Sequence, residues 1–471
     1  MKPSIAPKPG SLARPGGAVG IRFLVALAAS ATWLRAQGLP QAPGAEVQDL
    51  TPKAGYFTEP SVAINPHNPQ QVVAAYQDNA HIAYSSDAGK HWATPPGVAP
   101  PNYRTSGDVS VAYDNHGRAF LCYIAFDRLG TFNYWAHGAT RNGIFVRRSE
   151  GGGQTWEAKD VAVIEQPTQP GIPFEDKPYI VADSSAGPYA GTLYVGWTRW
   201  TLADSQILLS RSTDAGGTWS QPLEIDTHRG LPRDDNGAVE GFSGAVGPDS
   251  TLYVVWGDGD HILFTSSRDG GRTFDPARHI AETAPIMFDV EGVSRCNGFP
   301  VIAVDPKSGR LYVAWSDYRN GDIDVFCSSS SDQGRNWTAP VRVNSDPLHD
   351  GADQFFHWLA VDPASGAVNV VFYDRRDDPA NRKATVVLAR STDGGRSFSN
   401  YAWTETPFDP MGVFLGDYTG IAAMDGRVYG VWTEKPASSS SRGTIVRVGI
   451  ADFGGPGGEG APPGSASAAQ R

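Results

Sequence analysis

The 471-residue sequence contains only three cysteines and four methionines, and its basic side chains are outnumbered by acidic ones. Three cysteines (Cys122, Cys296 and Cys327) are too few for a disulfide framework. Cys296 and Cys327 could form one bridge, or all three could be buried thiols. The net charge of −11 excludes a basic surface for a phosphate backbone, so we expect no nucleic-acid partner. No Cys/His spacing indicates a zinc site.

Long apolar segments are also scarce. The clearest one, residues 21–34, is too short to cross a bilayer comfortably and follows basic residues without acidic ones, which is typical of a secretory signal. We therefore predict a signal peptide over 1–36, a linker over 37–44, a secreted or periplasmic location and no membrane span. The glycine-, proline- and serine-rich residues 454–471 are predicted to form a disordered tail.

Glycine, proline and tryptophan are plentiful, which is typical of many short strands joined by tight turns. One eight-residue pattern, Ser-x-Asp-x-Gly-x-x-Trp/Phe, recurs six times. Its copies are SSDAGKHW (85–92), SEGGGQTW (149–156), STDAGGTW (212–219), SRDGGRTF (267–274), SSDQGRNW (330–337) and STDGGRSF (391–398). Successive copies begin between 55 and 64 residues apart. One motif per near-constant period predicts a linear array or a closed ring.

The residue types of this repeat suit a hairpin turn. A carboxylate at the third position can accept backbone N–H bonds, and the glycine can take a positive φ. The turn carboxylates are Asp87, Asp214, Asp269, Asp332 and Asp393. The second copy has Gly151 in the place of aspartate, so we expect its turn to be less well stabilised.

A second pattern occurs seven times. It is a β run that ends in an aromatic residue, such as TLYVVW (251–256), preceded by another short apolar run. The seventh unit, 416–450, lacks the turn motif, and AEVQDLTP (45–52) can supply its missing outer strand. We therefore predict an all-β fold over 45–453: a seven-bladed β-propeller of four-stranded blades, whose N-terminal strand closes the last blade. A six-bladed propeller is the alternative.

The six repeats resemble the Asp-box, or bacterial neuraminidase, repeat of the sialidase superfamily, and the resemblance covers roughly 45–453. The whole chain also looks like secreted bacterial propellers of the exo-α-sialidase type. For a sialidase, the resemblance implies three arginines on the substrate carboxylate, a tyrosine nucleophile helped by a glutamate, and an aspartate acid/base. The family's Phe/Tyr-Arg-Ile-Pro motif is absent, and the most similar segment is Tyr103-Arg104-Thr105-Ser106.

Strand direction alternates within a blade, so the starts of first strands and the ends of second strands share one face, opposite the turn motifs. Acids at or just before first strands are Glu59, Asp108, Asp176, Glu240, Asp353 and Asp417. Carboxylates that lie close together raise one another's pKa or bind a cation such as Ca²⁺. The alternative is that each acid caps its own loop. We expect no other cofactor.

Candidate site residues follow from this face and from the resemblance. Tyr418 is nominated as nucleophile, Glu240 as the acid that takes its proton, and Asp108 as the proton donor. The candidate substrate-binding arginines are Arg104, Arg199, Arg319 and Arg375. An ion pair within one loop, such as Asp317 with Arg319, is the alternative for these arginines.

Three functional hypotheses remain open. The first is a secreted exo-α-sialidase-type glycoside hydrolase that acts on glycans with terminal acidic sugars. The second is a non-catalytic propeller that binds a glycan, a peptide or an assembly partner on the same face. The third is another carbohydrate enzyme, either a different hydrolase or a lyase. In each case we expect a monomer.

Overall fold

The computed structural model describes residues 38–77, 79–95, 102–168, 173–286, 290–404, 406–437 and 442–454. The predicted signal peptide and all of the predicted tail except Gly454 lie outside the described residues. One compact unit begins at Leu39, and its described residues form 27 β-strands and no helix. A search of the same residues for a helix that could cross a membrane therefore finds none.

The strands form seven antiparallel sheets, which are the blades of a propeller. The first strand, β1 (Glu46–Asp49), belongs to the last blade. Blade 1 comprises β2 (Thr58–Ile64), β3 (Val72–Gln77) and β4 (His81–Ser85). Blade 2 comprises β5 (Thr105–Tyr113), β6 (Ala119–Phe126), β7 (Asn142–Ser149) and β8 (Val161–Gln166). Blade 3 comprises β9 (Phe174–Ala182), β10 (Leu193–Trp200), β11 (Ser205–Ser212) and β12 (Leu223–Glu224).

The remaining four blades have the same strand order. Blade 4 comprises β13 (Val239–Val246), β14 (Leu252–Asp258), β15 (His261–Ser267) and β16 (Arg278–Glu282). Blade 5 comprises β17 (Val301–Val304), β18 (Leu311–Asp317), β19 (Asp324–Ser330) and β20 (Val341–Arg342). Blade 6 comprises β21 (Gln354–Val361), β22 (Val368–Asp374), β23 (Thr385–Ser391) and β24 (Ser399–Ala402). Blade 7 comprises β25 (Gly420–Met424), β26 (Arg427–Glu434), β27 (Ile445–Asp452) and β1.

The blades close into a ring. Each innermost strand contacts the innermost strand of the next blade, and β25 of blade 7 contacts β2 of blade 1. The outer strand of blade 7 is β1, which pairs antiparallel with β27 from Glu46 opposite Ile450 to Asp49 opposite Arg447. The predicted seven blades and their closure by the N-terminal strand are therefore confirmed, and the six-bladed alternative is wrong.

Two details differ from the expectation. Among the described residues, which exclude 96–101, blade 1 has three strands instead of the expected four, and an isolated bridge between Tyr84 and Ala93 occupies its outer position. The segment expected to be a linker is hydrogen bonded to two blades. Ala402 N donates to Pro40 O (2.9 Å), and Asp452 N donates to Pro43 O (2.7 Å). These bonds place residues 40–43 along blades 6 and 7, beside the closing strand.

Large aromatic side chains fill the space between blades. The tryptophans in the second strands of blades 3, 4, 5 and 7 are fully buried: Trp197, Trp256, Trp315 and Trp432. Trp432 stacks on Trp403 of the neighbouring blade, with ring centroids 5.9 Å apart. All three cysteines are buried and unbridged, so the alternative of three buried thiols holds.

The repeated turn joins the third strand to the chain that follows it. In blade 3, Asp214 Oδ1 accepts from Ser212 Oγ (2.7 Å) and Thr218 N (2.9 Å), and Gly216 N donates to Ser212 Oγ. A carboxylate oxygen likewise accepts a backbone N–H four residues on in the turns of Asp87, Asp269, Asp332 and Asp393. In the second copy, Gly153 N still donates to Ser149 Oγ (2.8 Å), but Gly151 offers no carboxylate. Each turn follows the end of a third strand and so lies on the face opposite the starts of the first strands.

Candidate functional site

Several innermost strands carry a β-bulge close to their start. The pairing register shifts after Thr58 in β2, after Gly107 in β5 and after Glu240 in β13. Four non-glycine residues at bulges of the innermost strands have positive φ: Phe356 (49°) in blade 6 and three charged residues, Glu59 (53°), Asp108 (45°) and Lys177 (49°). Positive φ is unfavourable for residues with a β-carbon, and bulges redirect side chains. Strained bulges of this kind concentrate at functional sites.

The bulges of blades 1 to 4 lie in or beside a group of charged side chains that we call the axial cluster. It consists of the carboxyl groups of Glu59, Asp108, Asp176, Asp234, Glu240 and Asp417 and the cationic groups of Lys177 and Arg295. The members come from the starts of the innermost strands of blades 1 to 4 and from the connections that precede blades 4, 5 and 7. Six carboxyl groups therefore face two cations around the axis.

Asp108 and Asp176 form the most solvent-accessible carboxyl pair of the cluster. Both accept from the same amide, because Lys177 N donates to Asp108 Oδ2 (3.0 Å) and to Asp176 Oδ1 (3.1 Å). Trp200 Nε1 donates to the other oxygen of Asp176 (2.8 Å). Burial, followed by the neighbouring Asp108, raises the pKa of Asp176 well above its usual range. Asp176 therefore holds its proton more tightly than an exposed aspartate does, beside a second carboxyl group.

Asp234 and Glu240 form a second pair. Burial, together with Asp234 and Asp176, raises the pKa of Glu240 well above its usual range, and burial also raises the pKa of Asp234. Trp135 Nε1 donates to Asp234 Oδ2 (3.1 Å). This pair is more deeply buried than the first.

Glu59 and Asp417 form a third pair, in which the two acids differ. Arg295 binds Asp417 with two N–H groups, one of them Nε to Oδ1 at 2.7 Å. Burial opposes the ionisation of Asp417, but Arg295 outweighs it and holds the pKa of Asp417 below its usual range. Burial, then Asp108 and Asp417, raises the pKa of Glu59 well above its usual range. An ionised carboxylate thus lies beside a protonated acid.

The two cations of the cluster lie against aromatic rings. Lys177 Nζ is 4.5 Å from the ring centroid of Tyr418 and 4.8 Å from that of Phe299. The guanidinium carbon of Arg295 is 5.0 Å from the ring of Phe414 and 5.7 Å from that of Trp135. Phe414 is exposed and Trp135 is half-buried, so the two rings form an aromatic rim at the mouth of the cluster.

Three of the residues nominated from the sequence lie in this region. Asp108 and Glu240 are members of the cluster, and Tyr418 borders it. The Tyr418 hydroxyl donates to Val109 O (3.3 Å), and its ring packs beside Trp358. Burial, followed by the charges of Glu59 and Asp108, raises the pKa of Tyr418 well above its usual value. The catalytic roles of all three remain predictions.

The nominated arginines have other partners. Arg319 pairs with Asp317 (2.5 Å), as the alternative of an ion pair within one loop described, whereas Arg199 pairs with Glu175 of the adjacent strand (2.7 Å). The guanidinium of Arg375 is fully buried and donates to the carbonyls of Asn381 and Glu291.

Arg104, the last nominated arginine, and Asp353 have hydrogen-bond partners outside the axial cluster. Arg104 is exposed, and its backbone N–H donates to Asp127 Oδ1 (3.2 Å). Asp353 accepts from Ile323 N (3.1 Å) and Asn381 Nδ2 (2.7 Å), which belong to other connections and not to its own loop.

Sequence reasoning missed three members of the cluster: Lys177, Asp234 and Arg295. Lys177 directly follows Asp176 and could have been found from the charged sequence FEDKP at the start of the first strand of blade 3. Asp234 and Arg295 lie in the connections 225–238 and 283–300, which have no strand periodicity and therefore no predictable register. Across the residues that the structure describes, no group of three or more His, Cys, Asp or Glu side chains could hold a metal ion.

The fold and site define a seven-bladed β-propeller with a carboxyl-rich axial mouth. No family model matches the chain, and no curated protein matches it either. Among solved structures, it is similar to an ulvan lyase of polysaccharide lyase family PL25 (TM-score 0.50, 13% identity, 83% of this chain and 94% of that one). It is also similar to the phage phi92 endosialidase (TM-score 0.50, 10% identity, 91% and 71%) and a Hadza microbial sialidase (TM-score 0.46, 17% identity, 81% and 73%). The chain thus has a sialidase-like β-propeller fold, and similarity at this level shows the fold alone.

Proposed function

We propose that the protein is a carbohydrate-active enzyme that cleaves glycosidic bonds by general acid–base catalysis at the axial cluster. The pair Asp108 and Asp176 carries this proposal, because both carboxyl groups accept from one amide and both reach solvent. Glycoside hydrolysis needs one carboxyl group that keeps its proton and a second that acts as a carboxylate. The fold shared with proteins named as an ulvan lyase and an endosialidase directs the choice of substrate class toward glycans.

In the proposed reaction, Asp176 donates its proton to the glycosidic oxygen, so the leaving sugar departs as an alcohol. Asp108, which is hydrogen bonded to Asp176, holds that carboxyl group in position. Water attacks the anomeric carbon from the other face of the sugar and gives its proton to a carboxylate across the cluster. The Trp200 and Lys177 N–H groups fix the orientation of the Asp176 carboxyl group. The positive charge that develops on the sugar ring is stabilised by the surrounding carboxylates, including Asp417.

The more specific form of the proposal is an exo-α-sialidase-type hydrolase in which Tyr418 attacks. The position of Tyr418 beside the cluster supports this form. The raised pKa of Tyr418 and its hydrogen bond to Val109 O work against it, because a nucleophilic phenol must lose its proton easily. Arg199, Arg319 and Arg375 are also held by other groups. We therefore favour the paired-carboxyl mechanism and keep a sialoside among the test substrates.

A non-catalytic glycan-binding propeller is the second candidate. The exposed aromatic side chains around the mouth favour it, because aromatic faces pack well against sugar rings. Phe132 is 76% exposed, and its ring lies edge-to-face with that of Trp135. Binding without turnover would support this candidate.

A panel of fluorogenic glycosides, with a sialoside included, tests the proposal on the protein that starts after residue 36. We expect turnover of at least one substrate. Asp176→Asn should lower kcat by about 10²- to 10⁴-fold, since that is the usual contribution of a general acid. Asp377→Asn is the matched control, because Asp377 is exposed, follows the second strand of blade 6 and lies outside the cluster. Full activity of the Asp176→Asn variant would refute the mechanism.

Secretion or export to the periplasm, action as a monomer and a glycan partner belong to the same proposal. The signal predicted over residues 1–36 supports the location. N-terminal sequencing of protein recovered from the culture medium or the periplasm tests it, and size-exclusion chromatography with light scattering tests the monomer. An intact N-terminus on cytoplasmic protein would contradict the location.

A further inference from the structure

The axial cluster has a large excess of negative charge when all its groups are ionised, because six carboxyl groups face only Lys177 and Arg295. Burial, combined with neighbouring carboxylates, raises the pKa of Glu59, Asp176 and Glu240 well above the usual range. In the free protein, protons therefore compensate part of this charge.

One oxygen of the cluster lacks a hydrogen bond. Glu59 is only 1% exposed, and its Oε1 accepts from Asp417 N (3.1 Å), whereas its Oε2 is buried with no partner among the described residues. Buried polar atoms are nearly always hydrogen bonded, so an orphan indicates a donor that the protein does not supply. The missing donor is a proton, an ordered water molecule or an N–H or O–H group of a ligand.

The cluster already accommodates an ammonium group. Lys177 Nζ lies over the rings of Tyr418 and Phe299 among the same carboxyl groups. Aromatic faces attract cations, and carboxylates accept N–H bonds, so a second ammonium group finds the same two kinds of partner at the aromatic rim. A carboxylate or sulfate placed there would meet like charges instead.

We propose that the axial cluster selects glycans that carry a free amino group, such as 2-amino-2-deoxy sugars, over acidic sugars. The ammonium group donates to the oxygens of Asp108, Asp176 and Asp417, which reach solvent, and the sugar face packs against Trp135 and Phe414. This inference rests on the proposed function for the position of the glycan, and it replaces the acidic-sugar substrate expected from the sequence.

Ammonium binding is coupled to the protons of the cluster. The added positive charge stabilises the ionised form of Glu59 and Glu240, so these two groups release protons when the ligand binds, whereas Asp176 keeps the proton that it donates to the glycosidic oxygen. Affinity should therefore rise as the pH increases from about 4 to about 6, the range in which the sugar amine stays largely charged. Asp234, Asp417, Lys177, Arg295 and Tyr418 face the same groups and belong to the same coupled titration.

Isothermal titration calorimetry of the wild-type protein separates the ligand classes. The probes are tetramers of glucosamine, N-acetylglucosamine and galacturonic acid, measured at pH 6 in two buffers of different ionisation enthalpy. We expect the glucosamine tetramer to bind at least about tenfold more tightly than the acetylated one, with net proton release. Glu59→Gln should reduce this preference and the proton release, whereas Asp377→Asn should change neither.

Equal binding of the acetylated tetramer, tighter binding of galacturonate or proton uptake would overturn the inference. So would a tetralysine peptide that binds as tightly as the glucosamine tetramer, because the ligand would then be a basic protein segment. Turnover of glycosides without an amine preference removes this inference but leaves the proposed function. A preference for the amine without turnover removes the proposed function but leaves this inference. If Glu59→Gln fails to fold, as judged by circular dichroism, Glu240→Gln serves as the second variant, because burial and neighbouring acids also raise the pKa of Glu240.

Discussion

Restoring the missing turn carboxylate by Gly151→Asp should stabilise blade 2. A β-carbon at Gly151 would meet only Thr155 Oγ1, at 2.9 Å, and that hydroxyl lies at the end of a flexible side chain. The equivalent threonines of blades 3 and 4, Thr218 and Thr273, donate their hydroxyls to the turn carboxylate at 2.7 and 2.6 Å. The new Asp can therefore accept from Thr155 Oγ1, Thr155 N and Ser149 Oγ.

The expected gain combines two effects. Each hydrogen bond contributes about 0.5–1.5 kcal/mol net, and the lower end applies here because the turn is exposed. Replacing glycine with a residue of narrower backbone freedom adds about 0.4–1 kcal/mol through the unfolded state. Repulsion from the adjacent Glu150 reduces the total, so we expect the free energy of unfolding to rise by about 1–2 kcal/mol. For a chain of this length, that corresponds to about 1–3 °C in Tm.

The pH dependence identifies the carboxylate as the cause. In the equivalent turn of blade 4, burial opposes ionisation, but hydrogen bonds from Thr273 outweigh it and lower the pKa of Asp269 to about 2. A lowered pKa contributes stability that is present above the unfolded value near 3.8 and lost as the pH falls toward 2. The advantage of Gly151→Asp should therefore shrink below about pH 4.

Urea unfolding followed by tryptophan fluorescence, together with scanning calorimetry, measures the effect. Gly151→Ala is the matched control, because it gains the backbone contribution without the carboxylate. Adding Thr155→Val to Gly151→Asp should remove part of the gain. The reasoning fails if Gly151→Asp is no more stable than Gly151→Ala at pH 7, or if its advantage persists unchanged at pH 2.

Three further predictions concern the ring and its mouth. Deleting residues 39–49 removes β1 and exposes the edge of β27, so Tm should fall and size-exclusion chromatography should show aggregation; an unchanged profile would contradict closure by this strand. Trp432→Ala should lower the free energy of unfolding by about 3–5 kcal/mol, because this fully buried ring stacks on Trp403, and a urea series with a loss below about 1 kcal/mol would disprove this packing role. Glu59 has a raised folded-state pKa, so its contribution to stability is present at low pH and lost as the pH rises through that pKa. Glu59→Gln should thus gain stability relative to the wild type between pH 4 and pH 9 in thermal melts, and a constant difference would refute the shift.

Local chemistry made much of the fold predictable. The serine, aspartate and glycine of each turn interact within five residues, so the turns and their spacing could be read along the chain. The strand segments between the turns either alternate apolar and polar residues or are apolar throughout. Their number predicted the number of blades. The sequence of residues 45–52 predicted an outer strand, and the structure confirms it, because β1 pairs with β27 over Glu46–Asp49. The short fourth strands were less predictable, because only two residues pair in β12 and in β20.

The sequence by itself determined the ring of β-blades, its closure by the chain's first strand and the face on which Asp108, Glu240 and Tyr418 lie. Those properties depend on strand alternation and on turns whose partners are close in sequence. Only the tertiary structure decided which charges meet. It placed Arg295 and Asp234 in the axial cluster from irregular connections, and it gave the nominated Arg375 backbone carbonyls as partners. Contacts between residues far apart in the sequence, such as Arg295 with Asp417, 122 positions apart, follow from ring closure and from loop paths that no local pattern specifies.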